Sequence, residues 1–248
     1  MQIKLRILQT NGSIQSINMI INGFEKLSLV DYPGYTAATV FTGACNMRCP
    51  FCHNAILVID SKHQPIVEEQ YILDYLNKRK GIIDGICITG GEPTLQNDLA
   101  TFIAKCKDTG VKIKLDSNGT NPEILKDLID KNLLDYVAMD IKNCKEKYAI
   151  TANAKIDLTH IQESIDILES SGIDHEFRTT LVKEFHTLQD IEKIAQWLDG
   201  TNKYYLQKFE DKGGCIQDGL NEVPIALAKQ MQAAAKEYIK NVELRSYE

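Results

Sequence analysis

From Thr36 onward, short apolar runs alternate with longer segments of helical periodicity, and this alternation constrains the fold more than any other feature. The apolar runs are predicted as β-strands at residues 37–43, 84–89, 112–116, 135–140, 174–180 and 203–208. Helices are predicted at residues 66–79, 96–108, 122–131, 159–171, 187–198 and 223–239. Strands that are separated by helices pair in parallel, through crossovers of one hand. The sequence therefore predicts an α/β fold, a partial (β/α)6 barrel of the TIM type, because six units are too few for the full eightfold barrel.

The residues before this region are predicted to form an N-terminal β-hairpin extension, residues 1–23. Apolar residues alternate over 3–7, Asn11-Gly12 offers a tight turn, and residues 14–21 run back. Such an alternation on both sides of an Asn-Gly pair is typical of a hairpin.

The rest of the chain, residues 24–248, is predicted to be one barrel domain. Residues 23–34 are predicted as a loop that ends in a Pro-Gly turn, and 242–247 as a final strand. A chain of 248 residues with 44% hydrophobic content suits a single domain of this kind, which typically has about 250 residues.

Charge and hydropathy argue against several classes of partner. The net charge is −6, and both signs are spread along the chain, which argues against nucleic acid or an anionic membrane. No stretch approaches the roughly 20 apolar residues of a membrane span, and the first residues do not resemble a signal peptide. A cytoplasmic location is expected.

Three cysteines follow the first predicted strand in the run CNMRCPFC: Cys45, Cys49 and Cys52. Three thiolates on one loop can bind three irons of a [4Fe–4S] cube and leave the fourth iron open to a small molecule. The alternative is a zinc site completed by His53. A disulfide framework fits poorly, because seven cysteines is an odd number and nothing marks the chain as secreted.

Polar residues also end the next four predicted strands. They are Gly90-Gly91-Glu92-Pro93, Asp116-Ser117-Asn118, Asp140-Ile141-Lys142 and Arg178. Because the chemistry of parallel α/β folds gathers at the C-terminal ends of the strands, these residues are expected to face one site with the cysteines.

Asp116 and Asp140 end neighbouring strands, which lie about 4.8 Å apart in a sheet. Two carboxylates at that distance would repel by about 3–4 kcal/mol at an effective dielectric constant near 20. A positive charge is therefore expected beside them, from Lys142, from Arg178 or from a bound cation. The alternatives are that Asp116 caps a helix and that Lys142 and Arg178 are simple ion-pair partners.

The cysteine run, followed by Gly-Gly-Glu-Pro after the next strand, resembles the radical S-adenosylmethionine (SAM) superfamily. Within it, VDYPG at 30–34, CHN at 52–54, LDSNG at 115–119 and DIK at 140–142 resemble the glycyl-radical-enzyme activases. The segment FEKLSLVDYPG with VFTGACNMRCPFCHN is most similar to activating proteins of anaerobic ribonucleoside-triphosphate reductases.

The resemblance implies one [4Fe–4S] cluster on the three cysteines, with SAM bound to its open iron and cleaved reductively to a 5′-deoxyadenosyl radical. It implies no catalytic residue beyond the cluster and SAM. The cofactor-binding residues it implies are Phe51, Gly90, Gly91, Glu92, Asp116, Asn118, Asp140, Lys142 and Arg178. A monovalent cation, which related activases use, is one further candidate.

Two of these assignments, and the role of Asp31, have structural alternatives. Gly90 and Gly91 are expected to let the backbone approach the methionine because they lack a Cβ atom; otherwise they form a turn without function. Phe51 is expected to pack beside the cluster or the adenine, or simply in the core. Asp31 is expected either to meet an incoming glycyl loop or to form a turn.

The predicted function is the generation of a glycyl radical on an anaerobic ribonucleotide reductase, with electrons from a low-potential donor such as flavodoxin or ferredoxin. One alternative is activation of another glycyl-radical enzyme, of the pyruvate formate-lyase type. A second is a radical SAM reaction on a small molecule, and a third is a zinc-stabilised binding module without turnover.

Overall fold

The structure is a computed structural model that describes residues 19–211 and 213–247. In this part of the chain, eight strands form one sheet in the order β1 to β8. The strands are β1 (Ile21–Ser28), β2 (Ala37–Thr42), β3 (Gly85–Gly90), β4 (Lys112–Ser117), β5 (Tyr136–Asp140), β6 (Asp174–Leu181), β7 (Lys203–Lys208) and β8 (Asn241–Arg245). All neighbouring pairs are parallel except β1 with β2, so the predicted parallel α/β architecture is confirmed.

The predicted helices are also present, with ends that differ from the predicted ones by at most four residues. The longer helices are α2 (Glu69–Lys78), α3 (Leu99–Asp108), α4 (Pro122–Asp130), α6 (Leu158–Ser171), α7 (Leu188–Trp197) and α8 (Ile225–Ala235). The shorter ones are α1 (Ala55–Ile59), α5 (Tyr148–Ala152) and the 3₁₀ turns Ser61–His63 and Pro93–Leu95. The short helices were not predicted, because one helical turn carries no periodic signal.

The loop predicted at residues 23–34 is wrong over its first half. Residues 21–28 form β1, which pairs antiparallel with β2, Phe24 lying opposite Val40. The strand was missed because it is an edge strand with mixed burial and so shows no continuous apolar run. The predicted boundary between residues 23 and 24 falls inside this strand. The remainder of the predicted hairpin, residues 1–18, lies outside the described residues.

Side chains alternate across each strand, and this alternation positions the site. In β4, Ile113 and Leu115 are fully buried in the core with α3 residues such as Phe102. The intervening Lys114 and Asp116 point to the opposite face of the sheet. There they line a cavity together with residues of β6, β7, β8 and the β1–β2 turn. The sheet therefore curves until both edges approach one interior, and that interior is polar.

Candidate active site

All twelve residues predicted to bind the cluster or its cofactor line one cavity of about 390 Å³. They are Cys45, Cys49, Phe51, Cys52, Gly90, Gly91, Glu92, Asp116, Asn118, Asp140, Lys142 and Arg178. The cavity lies where β2 to β6 end, and its volume is within the range of small-molecule sites, about 300–1,000 Å³. The sequence thus predicted which residues come together, while their contacts with a ligand stay predictions.

The cysteine loop presents three free thiols to this cavity. Its turn is closed by the Cys52 amide, which donates to the Cys49 carbonyl at 3.0 Å. Among residues 19–211 and 213–247, no three His, Cys, Asp or Glu side chains converge on one ion position. A zinc site needs four donors on a single ion, whereas the thiolates of a cube each bind a different iron. The arrangement therefore favours the cluster over the zinc alternative.

His53, the fourth donor of that zinc alternative, has other partners. Its Nε2 atom lies 2.9 Å from the Glu210 carbonyl oxygen. Its ring stacks on Phe209, with 5.4 Å between the centroids. His53 thereby connects the cysteine loop to the end of β7.

Burial makes the thiolate form costly at these cysteines. It raises the pKa of Cys45 to about 11, and it also raises the pKa of Cys49 and Cys52. The Lys142 ammonium opposes this effect at Cys49. Lys142 is therefore placed to stabilise negative charge on the cysteine loop, which iron binding would create.

The protein itself requires the two glycines at the end of β3, Gly90 and Gly91, even without a ligand. A Cβ atom on Gly91 would lie 2.6 Å from the Ala44 carbonyl carbon and would overlap its oxygen. A Cβ atom on Gly90 would lie 2.6 Å from the Thr42 carbonyl oxygen, and Gly90 has a φ of +111°. The amide of Glu92 donates to Ala44 at 2.8 Å across the same contact. The contact with the cysteine loop therefore explains these glycines without a ligand, since that loop already fills the space that a Cβ atom would occupy.

Gly91→Ala is expected to reduce both the iron content of the reconstituted protein and its affinity for SAM, because the added Cβ displaces Ala44, which directly precedes Cys45. Iron and sulfide analysis after anaerobic reconstitution, followed by SAM titration, measures both. The matched control is Gly172→Ala, at a φ of +74° with no atom near the added Cβ; it should lose only about 1 kcal/mol of stability and keep its iron. Full iron content in Gly91→Ala would show that the loop tolerates the displacement.

Glu92 holds the ends of β3 and β4 together. Its buried carboxylate accepts hydrogen bonds from the Thr94 amide and hydroxyl, at 3.2 and 2.6 Å, from the Ser117 hydroxyl at 2.9 Å and from the Asn118 amide at 2.7 Å. Burial raises the pKa of Glu92, although these donors oppose the rise. The carboxylate is thus used mainly by the protein, and its predicted contact with the cofactor stays a prediction.

Asn118 continues this network to the cysteine loop. Its side-chain amide donates to the Asn46 side chain at 2.8 Å and lies 3.9 Å from the Cys45 sulfur. Asn46 in turn donates to the Thr120 hydroxyl at 2.8 Å. The end of β4 therefore fixes the residue that follows the first cysteine.

Asp116 and Asp140 do not face each other across neighbouring strands. In register, Asp116 lies opposite Ala138, and Asp140 lies opposite Arg178 of β6. The guanidinium of Arg178 bridges both carboxylates, with Nε 2.8 Å from Asp140 Oδ1 and Nη1 3.2 Å from Asp116 Oδ2. The repulsion expected from the sequence is thus compensated within the protein, as the ion-pair alternative proposed.

A lysine completes each aspartate. Lys142 Nζ lies 2.9 Å from Asp140 Oδ2, and Lys114 Nζ pairs with Asp116 Oδ1. Burial alone would raise the pKa of both carboxyl groups. The charges of Arg178 and the two lysines outweigh burial and hold both pKa values below their ordinary range. Both aspartates are therefore anionic wherever the protein is folded near neutral pH.

Three comparisons with known proteins address the family of this chain. The model of the radical SAM superfamily matches residues 39–198, more than half of the sequence. The chain belongs to the radical SAM superfamily.

A curated relative from Methanocaldococcus jannaschii, named as a candidate glycyl-radical enzyme activating enzyme, is 35% identical over 92% of this chain and 96% of its own length. The pyruvate formate-lyase-activating enzyme of Clostridium pasteurianum is 24% identical over 90% of this chain and 97% of that protein. The first of these places this radical SAM protein in the glycyl-radical enzyme activating family, so it is an enzyme.

The solved structure of Streptococcus suis SuiB bound to S-adenosylmethionine shares the fold, with a TM-score of 0.64 at 12% identity over 82% of this chain and 48% of SuiB. Its partial barrel matches the curved parallel sheet described above.

No helix among residues 19–211 and 213–247 is long and apolar enough to cross a membrane.

The residues of this radical SAM site fit a [4Fe–4S] cluster and SAM, the cofactors of the family. Three thiols meet the cluster's need for sulfur ligands. When bound, the cluster supplies one electron for the cleavage of SAM. The protein's part is to hold, orient and screen these groups, through the network of Glu92 and Asn118 and the charges of Arg178 and Lys142.

Thr180 and Gln207 line this radical SAM site although neither was predicted to bind the cofactor, and the same holds for Lys114 in the neighbouring cavity. Phe51 packs against Phe185 and Phe209, at centroid distances of 5.8 and 6.5 Å, so core packing accounts for most of its contacts. Asp31 accepts a hydrogen bond from the Thr39 hydroxyl at 2.6 Å, while Ser28 closes the turn. The sequence gives no indication that Lys114 lies in a cavity, since a lysine in a strand ordinarily marks an exposed face.

Proposed function

We propose that the protein generates a glycyl radical on an anaerobic ribonucleoside-triphosphate reductase, by removing one hydrogen atom from a glycine of that partner. In this reaction one electron and one hydrogen atom convert SAM to methionine and 5′-deoxyadenosine. The electron comes from a low-potential donor of the flavodoxin or ferredoxin type, in the cytoplasm. The segment LSLVDYPG at 27–34 and the cysteine run support the choice of reductase.

A second cavity is the observation that supports a polypeptide as the substrate. It has a volume of about 340 Å³ and shares Asp31, Asp116, Arg178 and Gln207 with the first cavity. A segment of another protein that enters the second cavity would therefore end beside the cofactor. A small substrate would instead need to be closed off from water.

The β1–β2 turn beside this second cavity is apolar and exposed. Leu29 is 74% exposed, and Val30, which lines the cavity, is 85% exposed. Adjacent exposed apolar side chains at a cavity are typical of a protein interaction site. They support docking of a partner chain next to Asp31.

The test is to mix the reduced, reconstituted protein with SAM and the reductase without oxygen and to record the electron paramagnetic resonance spectrum. We expect a glycyl doublet that is lost when the radical-bearing glycine of the reductase is changed to alanine. Pyruvate formate-lyase is tested in parallel, because the Clostridium pasteurianum relative is named for that partner. A radical on pyruvate formate-lyase alone would replace the proposed partner, and SAM cleavage without any protein radical would favour a small-molecule substrate.

The docking surface has its own test. The double variant Leu29→Ser/Val30→Ser is expected to lower the radical yield at limiting reductase, because it removes exposed apolar area from the turn. The matched control is Ile225→Ser, which changes an exposed apolar residue at the start of α8. Equal yields in both variants would show that the turn does not bind the partner.

A further inference from the structure

Asp116 and Asp140 have no carboxylate oxygen without a cationic partner. Each of the four carboxylate oxygens of Asp116 and Asp140 is paired with a nitrogen of a cationic side chain. Arg178 takes one oxygen of each aspartate, and Lys114 and Lys142 take the other two. A monovalent cation, expected from the resemblance, would have to displace one of these partners, so the residues present do not fit it.

The charge balance points the same way. The cluster of Lys114, Asp116, Asp140, Lys142 and Arg178 holds three cations and two anions, a net charge of +1. A further cation would raise that charge, whereas an anionic group would neutralise it. The carboxylate of SAM can therefore be paired by this cluster without an added ion, while its ammonium and sulfonium groups need other acceptors.

Lys114 is the main reason why Asp116 is not available to a metal ion. Its side chain is only 3% exposed, and besides Asp116 its ammonium group lies 3.6 Å from the Cys87 sulfur. A buried ammonium group needs a fixed partner, because burial without one is costly. Lys114 therefore occupies Asp116 Oδ1, one of the two oxygens on which Asp116 could otherwise bind a metal ion.

We infer that Lys114 and Arg178 act as a built-in substitute for a monovalent cation, so that this protein binds SAM independently of sodium and potassium. The inference rests on membership of the family and on its cofactor. It does not depend on which protein receives the radical, because the test measures binding of SAM and stability.

The test compares SAM affinity in tetramethylammonium buffer with the affinity after exchange to sodium or potassium at constant ionic strength. The reconstituted parent protein is expected to change its dissociation constant by less than about twofold. Lys114→Met, which keeps the length and apolar stem, is expected to bind SAM about tenfold more weakly in tetramethylammonium and to recover in sodium or potassium. The matched control, Lys112→Met, removes a half-exposed lysine from the same strand and should respond like the parent.

Thermal melting of the cluster-free proteins gives a readout that needs no bound cofactor. Sodium or potassium should leave the melting temperature of the parent unchanged and raise that of Lys114→Met. A parent whose affinity improves about tenfold with either metal ion would overturn the inference. The affinity of the parent protein decides whether SAM binding depends on the metal ion even if Lys114→Met does not fold. A Lys114→Met protein that loses neither SAM affinity nor stability would also overturn the inference.

Discussion

Cys49→Ala protein is expected to retain little iron or sulfide after anaerobic reconstitution and to lose SAM cleavage entirely. Cys49 lies between the other two thiols of the loop and is the most buried of the three. Two remaining thiolates cannot bind three irons of a cube. Iron and sulfide analysis with the visible absorption spectrum measures the loss, and Cys45→Ala and Cys52→Ala should behave in the same way.

Two other cysteines provide the controls for this experiment. Cys144 is buried, with its sulfur 3.6 Å from Asp190, and Cys215 lies in the loop that contacts Pro50 through the Gln217 amide. Neither lines the cavity of the site, so Cys144→Ala and Cys215→Ala should keep full iron content. Loss of the cluster in Cys215→Ala would show that a residue outside the triplet contributes a ligand.

Arg178→Met is expected to destabilise the protein by about 3–5 kcal/mol and to abolish measurable SAM binding. The substitution leaves two partly buried carboxylates without their shared partner, and it removes the cation that joins β4, β5 and β6 across the cavity. Chemical denaturation of the cluster-free protein measures the stability. Arg79→Met, which removes an exposed guanidinium beside Tyr75, is the control and should change stability by less than about 1 kcal/mol.

The pH dependence separates this electrostatic role from simple packing. Asp116 and Asp140 have folded-state pKa values below their unfolded values, the unfolded value being about 3.9. Their contribution to stability is therefore fully present above that pH and is lost as the pH falls through the folded-state pKa values. Arg178→Met should weaken this acid dependence. An unchanged slope of stability against pH would mean that Arg178 acts only through packing.

The strands were predictable where strands and helices alternate along the chain. Strands β2 to β7 are buried on the helix side and bounded by helical segments, so each one was located within about two residues of its true ends. β1 does not belong to this alternation. It is an antiparallel edge strand, and only about half of its side chains are covered by the rest of the protein. The sequence pattern could not show that residues 21–28 pair with β2.

The candidate site was predictable in membership but not in geometry. Polar residues at strand ends indicated that Asp116, Asp140 and Arg178 share a cavity, as they do. The register between strands was not predictable, and it places Arg178 rather than Asp116 opposite Asp140. Lys114 was missed for a related reason: which face of β4 is interior depends on the curvature of the whole sheet.

The sheet order β1 to β8 follows the chain, so each strand finds its neighbour as soon as it is synthesised. Asp116 and Asp140 emerge before Arg178, which follows Asp116 by 62 residues. Each aspartate, however, has a lysine two positions away, since Lys114 precedes Asp116 within β4 and Lys142 follows Asp140 just beyond the end of β5. These local lysines can neutralise the two carboxylates before β6 is synthesised. Arg178 then joins the strands when β6 pairs, so that neither Asp116 nor Asp140 has to be buried without a cationic neighbour.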